Sequence, residues 1–188
     1  MKMRLETDTY YIERTLDGET EYFSFLLDKY NHLVFSLIYK MAKNREDAEE
    51  LTQDVFVKAF RNLNKFKGDS NFSTWLYRIA YNTAVSEMRK KRPTFVVIEE
   101  ELITHISEED SVAVLVAEKR EENIKHLEKA LTLLPAEDNA LIHLFYLQNK
   151  TIEEVAKIAG LSVPNIKTRL HRIRKKLYVL LTNMKKKD

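Results

Sequence analysis

Through most of the chain the apolar positions fall three and four residues apart. From Glu19 to Met41 this spacing covers Phe23, Leu26, Leu27, Tyr30, Leu33, Val34, Leu37 and Ile38, which predicts a helix with a wide buried stripe. The preceding residues 1 to 16 are polar with a few aromatics and are expected to fray or lie on the surface, without chemistry. A second helix is predicted over REDAEELTQDVFVKAFRNL, with Asn44 as its cap and Glu46, Asp47, Glu49 and Glu50 at its start, where the helix dipole favours negative charge. Ala48, Leu51, Val55, Ala59 and Leu63 form its inward face, and Glu50, Gln53, Asp54, Val57 and Phe60 its outward one. A solvated face has no need of Val57 and Phe60. Either Phe60 tucks under the next loop or this face binds a protein.

The loop NKFKGDSN contains Gly68 and ends at Ser70 or Asn71, either of which can cap the helix FSTWLYRIAYNTAVSEMRKKR. There Phe72, Leu76, Ile79, Ala80 and Thr83 face inward; Thr74, Arg78, Tyr81, Asn82, Val85, Arg89 and Arg92 face outward, with Trp75 and Tyr77 at the borders. Rings interleaved with cations suit single-stranded nucleic acid, because bases stack on rings while cations hold phosphates. The alternative is that Trp75 and Tyr77 close the core and the terminal RKKR favours a helix end; taken alone, this helix fits packing better. Beyond Pro93 the segment PTFVVIEEELITHISEEDS has no sustained helical period and reads as a linker. Phe95 to Ile98 is a strand candidate without a partner. Helical spacing resumes near Val112, runs through Leu127, Leu131 and Leu134, stops at Pro135, and returns from Ala136 to Leu147.

Thr151 to Leu177 reads as a helix-turn-helix. Thr151 and Glu154 form a capping box, Gly160 marks the turn, Ser162 caps the second helix and Pro164 lies in its first turn, where a missing N–H costs nothing. Val163, Ile166, Leu170, Ile173 and Leu177 share the buried face. The opposite surface carries Asn165, Thr168, His171, Arg172 and Lys175, flanked by Lys167, Arg169 and Lys176, as a groove-reading helix requires.

Composition narrows the reading. Three Gly and three Pro in 188 residues argue for helices joined by short loops. With no cysteine, disulfides, thiolate catalysis and cysteine-ligated zinc are excluded. No apolar run has signal-peptide or membrane-spanning length, so a cytoplasmic protein without membrane insertion is expected. The net charge of +2 hides a segregation, with balances of +2 over residues 1 to 92, −6 over 93 to 126 and +6 over 127 to 188. The basic end is the natural candidate for nucleic acid. His126, His143 and His171 form no metal-binding spacing, and no Gly-rich phosphate loop or GxSxG elbow is present. No catalytic constellation or cofactor is expected.

DAEELTQDVFVKAF, FSTWLYRIAYNTAVSEMRKKR and TIEEVAKIAGLSVPNIKTRLHRIRKKL, in this order, resemble the extracytoplasmic-function (ECF) group of the sigma-70 family, the small initiation factors of bacterial RNA polymerase. The resemblance covers nearly everything after about Glu19. It implies an all-α fold of two small helical domains, 1–92 and 118–188, joined by an acidic linker over 93–117, with the helix-turn-helix in the second. It also implies core RNA polymerase (β′ and β subunits) and promoter DNA, double- and single-stranded, as partners, with an anti-sigma factor as a further one. Glu50, Gln53 and Asp54, with Val57 and Phe60 beside them, match the helix that docks on the β′ coiled coil. Trp75, Arg78, Tyr81, Asn82 and Arg89 lie on the helix that meets the −10 element as strands separate. The loop Asn64 to Asn71 matches the one that captures a flipped base. Asn165, Lys167, Thr168, Arg169, His171 and Arg172 fall where the family reads the −35 element. The acidic linker matches one that threads the polymerase RNA channel. Pro164 and Asn165 stand where the family often has small residues, and Ser86 where aspartate is common, which bears on promoter preference.

Two rivals make different demands. A stand-alone helix-turn-helix regulator, its N-terminal helices a dimerisation or sensor module, requires tight duplex binding without polymerase. A helical adaptor that binds only protein requires no salt-dependent DNA affinity.

Overall fold

The computed structural model describes residues 7–91, 97–111 and 121–185. Among them the structure is helical, without strands. α1 (Asp8–Leu16), α2 (Phe23–Ala42), α3 (Arg45–Arg61) and α4 (Phe72–Lys91) form an N-terminal bundle, in which α2, α3 and α4 pack against one another. A short helix α5 (Glu100–Thr104) follows. α6 (Glu121–Thr132), α7 (Ala136–Ile142), α8 (Ile152–Ala159) and α9 (Val163–Lys185) make the C-terminal bundle. The predicted apolar stripes form the cores of both bundles: Leu26, Val34, Leu37 and Ile38 of α2, with Ala48, Val55 and Ala59 of α3, are buried. So are Ile166, Leu170, Ile173 and Leu177 of α9, which continues beyond the predicted end and also buries Leu180 and Leu181.

Local signals set the boundaries as expected. The Asn44 side chain accepts from the N–H groups of Glu46 and Asp47. Thr151 and Glu154 form the full capping box, and Gly160 ends α8 with φ 68°, a left-handed conformation that an L side chain adopts only with strain. The Ser162 hydroxyl accepts from the Asn165 N–H at 3.4 Å.

Four expectations change. First, part of the supposedly frayed N-terminus is α1, capped by Thr7, with Tyr11, Ile12 and Thr15 buried on one side. Asp8 anchors it to α2 by accepting from Lys29 and from the Tyr30 hydroxyl, each at 2.6 Å. Second, the linker contains α5, whose Ile103 is buried and which packs against α9. Val97 and Ile98 are not in a strand; Phe95 and Val96 lie outside the described residues, as do Arg92 and the helical stretch predicted from 112 to 120. Third, the segment 136 to 147 is not one α-helix: after Ile142 it widens into a π-turn over His143–Leu147, closed by the Gln148 N–H donating to the His143 carbonyl at 3.0 Å.

The fourth change concerns α4. Thr74, Tyr81 and Val85, placed outward by the helical wheel, are buried. The wheel sides them correctly, away from α2 and α3, but the C-terminal bundle covers that side. α8 packs against α4 and α7 against α2, and the buried apolar side chains form one continuous cluster through both bundles. Polar bonds cross the same boundary. Asn139 donates to the Lys40 carbonyl at 2.8 Å, and the Lys43 ammonium reaches the carbonyls of Thr132 and Leu134. Burial holds the Lys43 pKa below its ordinary value.

Candidate polymerase and nucleic-acid interfaces

Three surfaces carry the residues singled out in the sequence. On α3, Glu50, Gln53 and Asp54 are exposed, and Val57 and Phe60 remain 47% and 41% exposed. Phe60 does not tuck under the following loop; its ring meets Phe23 of α2 edge-on, 5.1 Å between centroids. Phe23, Leu27, Phe56, Val57 and Phe60 line an open groove between α2 and α3, with Gln53 and Arg61 at its edge. An apolar trough with a polar rim is the usual character of a protein-docking surface. Leu27, which the spacing placed in the core, is 37% exposed. The signal was available, because Leu26 and Leu27 are adjacent and neighbours on a helix point about 100° apart.

The second surface is α4 with the loop before it. Phe66, Phe72 and Trp75 form a ring cluster with centroids 5.5 to 5.6 Å apart, which leaves Trp75 half-buried and braces the loop against the helix. Arg78, Asn82 and Arg89 are exposed, whereas Tyr81 is only 5% exposed. Burial pushes the Tyr81 phenol up to about 12, with Glu137 raising it further and Arg169 opposing, so the hydroxyl stays protonated at neutral pH.

The third surface is the N-terminal half of α9. Asn165, Lys167, Thr168 and Arg172 are exposed and His171 is half-exposed. Arg169 is different. Its Nε donates to Asp138 at 2.8 Å and its Nη2 to Glu137 at 2.9 Å, and Lys176 donates to the second oxygen of Asp138 at 3.1 Å. Burial opposes the Arg169 charge, yet these carboxylates outweigh it and raise its pKa. Arg169 thus fastens the basic helix to α7 as well as bordering its outer face. Further along, Arg174 donates to Glu108 of the acidic segment at 2.7 Å, and His171 lies 3.7 Å from the same carboxylate oxygen.

Among the described residues no group of three or more His, Asp or Glu side chains is placed to hold a metal ion. The buried histidine, His143, lies between the bundles, its Nε2 3.4 Å from the Ser36 hydroxyl and 3.3 Å from the Gln148 amide nitrogen. No helix among the described residues is long and apolar enough to cross a membrane.

Comparison with known proteins joins these surfaces. Residues 26–94 match the family model of Sigma-70 region 2, and residues 125–177 that of Sigma-70, region 4. The ECF RNA polymerase sigma-E factor of Escherichia coli is 33% identical over 89% of this chain and 91% of its own length. The ECF RNA polymerase sigma factor SigW of Bacillus subtilis is 31% identical over 88% and 92%. Among solved structures, the sigma factor RpoE bound to the anti-sigma factor NepR, from Bartonella quintana, has a TM-score of 0.60 at 26% identity, covering 88% of this chain and 97% of that one. CnrH in complex with the cytosolic domain of CnrY shares the fold, with a TM-score of 0.65 at 22% identity over 95% and 99%. The region 2 match spans the α3 and α4 surfaces and the region 4 match ends where the helix-turn-helix does, so the chain belongs to the ECF group of the sigma-70 family of RNA polymerase sigma factors.

Proposed function

We propose that this chain binds core RNA polymerase through the α2–α3 groove, with Glu50, Gln53, Asp54, Val57 and Phe60 as contacts, and directs it to promoters. α4 supplies Trp75, Arg78, Tyr81, Asn82 and Arg89 for the −10 element as strands part. α9 supplies Asn165, Lys167, Thr168, Arg169, His171 and Arg172 for the −35 element. The boundaries 1–92, 93–117 and 118–188 divide these tasks. The observation that carries the reading is the pairing of an exposed apolar groove, rimmed by Gln53 and lined by Val57 and Phe60, with a basic helix-turn-helix at the other end of the chain. A stand-alone regulator has no use for the first, and a protein-only adaptor none for the second. Affinity for DNA then rests mostly on phosphate contacts, and selectivity on base edges.

The chain performs no bond chemistry of its own in this scheme; it positions an enzyme, and it works in the cytoplasm where that enzyme is. An anti-sigma factor, as in the NepR complex, is a further partner. Run-off transcription with purified core polymerase, with and without the chain, tests the reading. Promoter-specific transcripts that require the chain support it, and tight palindrome binding without any transcript favours the stand-alone regulator.

A further inference from the structure

α1 and the turn after it carry a chemistry that none of the three surfaces uses. Over residues 7 to 28 six Asp and Glu side chains stand against one basic one, Arg14, whereas residues 29 to 92 hold thirteen Lys and Arg against seven Asp and Glu. Four rings adjoin within this acidic stretch. Tyr11 of α1 stacks on Phe25 of α2 with 4.8 Å between centroids, Tyr22 tilts against Phe25 at 6.0 Å, and Tyr10 meets Tyr22 edge-on at 5.9 Å. Tyr11 is buried, but Tyr10 and Phe25 remain 36% and 40% exposed.

The patch already holds one cation. The Arg14 guanidinium lies over the Tyr22 ring at 5.3 Å and pairs with Glu19 at 2.8 Å, so ring face and carboxylate both attract it. Tyr10, Glu13, Arg14 and Asp17 fall at spacings of three and four and share one face of α1. Glu13 and Asp17 on that face, and Glu21 next to Tyr22, are exposed, and among the described residues no ion pair engages them.

These features select the occupant. The excess of carboxylates repels phosphates and anionic lipid surfaces. A second copy laid on the same patch about a twofold axis sets carboxylate against carboxylate. An arginine-rich protein segment suits it on both counts: guanidinium groups stack on exposed rings, as Arg14 does on Tyr22, and pair with Glu13, Asp17 and Glu21. The position of the patch matters as well. Phe25 lies two residues from both Phe23 and Leu27, about 200° around α2, so the rings and the α2–α3 groove open on opposite sides of the helix.

We propose that α1 and the start of α2 form a docking site for an arginine-rich segment of a second protein, one that can be filled while the α2–α3 groove holds polymerase. The docking site stands apart from the initiation reading; only its simultaneous occupancy rests on it.

A fluorescein-labelled peptide of Arg, Gly and Leu is titrated against the full-length chain by anisotropy, beside its citrulline counterpart, which keeps the shape and loses the charge. The arginine peptide should bind at least about tenfold more tightly than the citrulline one. Phe25→Ser, and separately the combined Glu13→Gln, Asp17→Asn and Glu21→Gln, should each weaken it by about tenfold. The charge variant alters exposed side chains only, so it decides the matter if Phe25→Ser lowers stability. Glu46→Gln, Glu128→Gln and Glu153→Gln combined, which neutralise exposed carboxylates elsewhere, should change the affinity by less than about twofold. Equal affinity for the two peptides, or equal losses in the two charge variants, would overturn the proposal. So would sedimentation showing that the parent self-associates and the patch variants do not, since a second copy would then be the occupant. Both patch variants should bind core polymerase as the parent does; a parallel loss there would put the patch inside the polymerase interface and overturn simultaneous occupancy. If the parent itself does not bind core polymerase, the initiation reading fails and simultaneous occupancy with it, while the docking site stands or falls on the peptide titrations.

Discussion

Arg169 and Asp138 are joined by a 2.8 Å bond between the basic helix α9 and the start of α7, and Asp138 is 5% exposed at its side chain. A carboxylate held that far from water needs its partners, because a buried charge left unpaired costs more than the pair contributes. Arg169→Ala is therefore expected to destabilise the chain by about 1 to 3 kcal/mol, the lower end applying because Arg169 is itself partly exposed and Lys176 remains. Denaturant unfolding of the two proteins measures this; a difference under about 0.5 kcal/mol would be what an ordinary surface site gives.

Arg172 offers the contrasting case on the same helix. It is exposed, and the proposed −35 role means that Arg172→Ala should weaken a cognate −35 sequence by roughly 1 to 3 kcal/mol while affecting unrelated duplex much less. Arg169→Ala should instead lower thermal stability together with both affinities. Fluorescence titration against cognate and scrambled duplexes at fixed salt separates the two, and equal losses on both duplexes for Arg172→Ala would remove its reading role.

For the α2–α3 groove, Val57→Asp and Phe60→Ala remove apolar surface that the folded chain leaves in water. Each should leave the melting temperature within a few degrees of the parent, with Phe60→Ala the more costly because of its Phe23 contact, and lower affinity for core polymerase by about tenfold or more, as loss of a central interface anchor does. Analytical ultracentrifugation or a pull-down with purified core gives the answer. Unchanged binding by both variants would move the docking surface elsewhere.

His143 sets a pH dependence. At 3% exposure, burial and, secondarily, Lys40 push its pKa down to about 4. The unfolded chain takes up this proton below about pH 6.5 and the folded chain only near pH 4, so stability falls as pH drops through that window, by up to about 3 kcal/mol. Glu137 and Glu154, whose pKa values are depressed, add losses at lower pH in any variant. His143→Gln should flatten the decline between about pH 6.5 and 4 relative to the parent. Parallel curves for the two proteins would show that the histidine does not titrate as its surroundings dictate.

How far the sequence could be read depended on whether a feature was local. The capping box at Thr151, the Asn44 cap, the buried stripe of α9 and the exposed set around Gln53 are set within one or two helical turns, and each stands where the spacing put it. The exposure of Tyr81, Thr74 and Val85 does not follow from α4 alone. A helical wheel says which side a residue is on, and only the arrival of α8 decides whether that side is wet. The same applies to Arg169, which is one more cation in a basic helix until Asp138 and Glu137, more than thirty residues earlier, are folded against it. α1 was missed for a different reason: its Tyr11, Ile12 and Thr15 are too few to make a convincing period, and its anchor, Asp8 on Tyr30, lies in another helix.

α9 is continuous from Val163 to Lys185, a rod of roughly 34 Å at 1.5 Å per residue. Its first turns present Asn165 and Thr168, and its last are set in the core by Leu177, Leu180 and Leu181. No break separates the two ends, so a small tilt at the leucines becomes a larger sideways travel at Asn165. A cavity-forming change such as Leu181→Ala, far from any DNA, should therefore alter which base steps the helix tip meets before it abolishes binding.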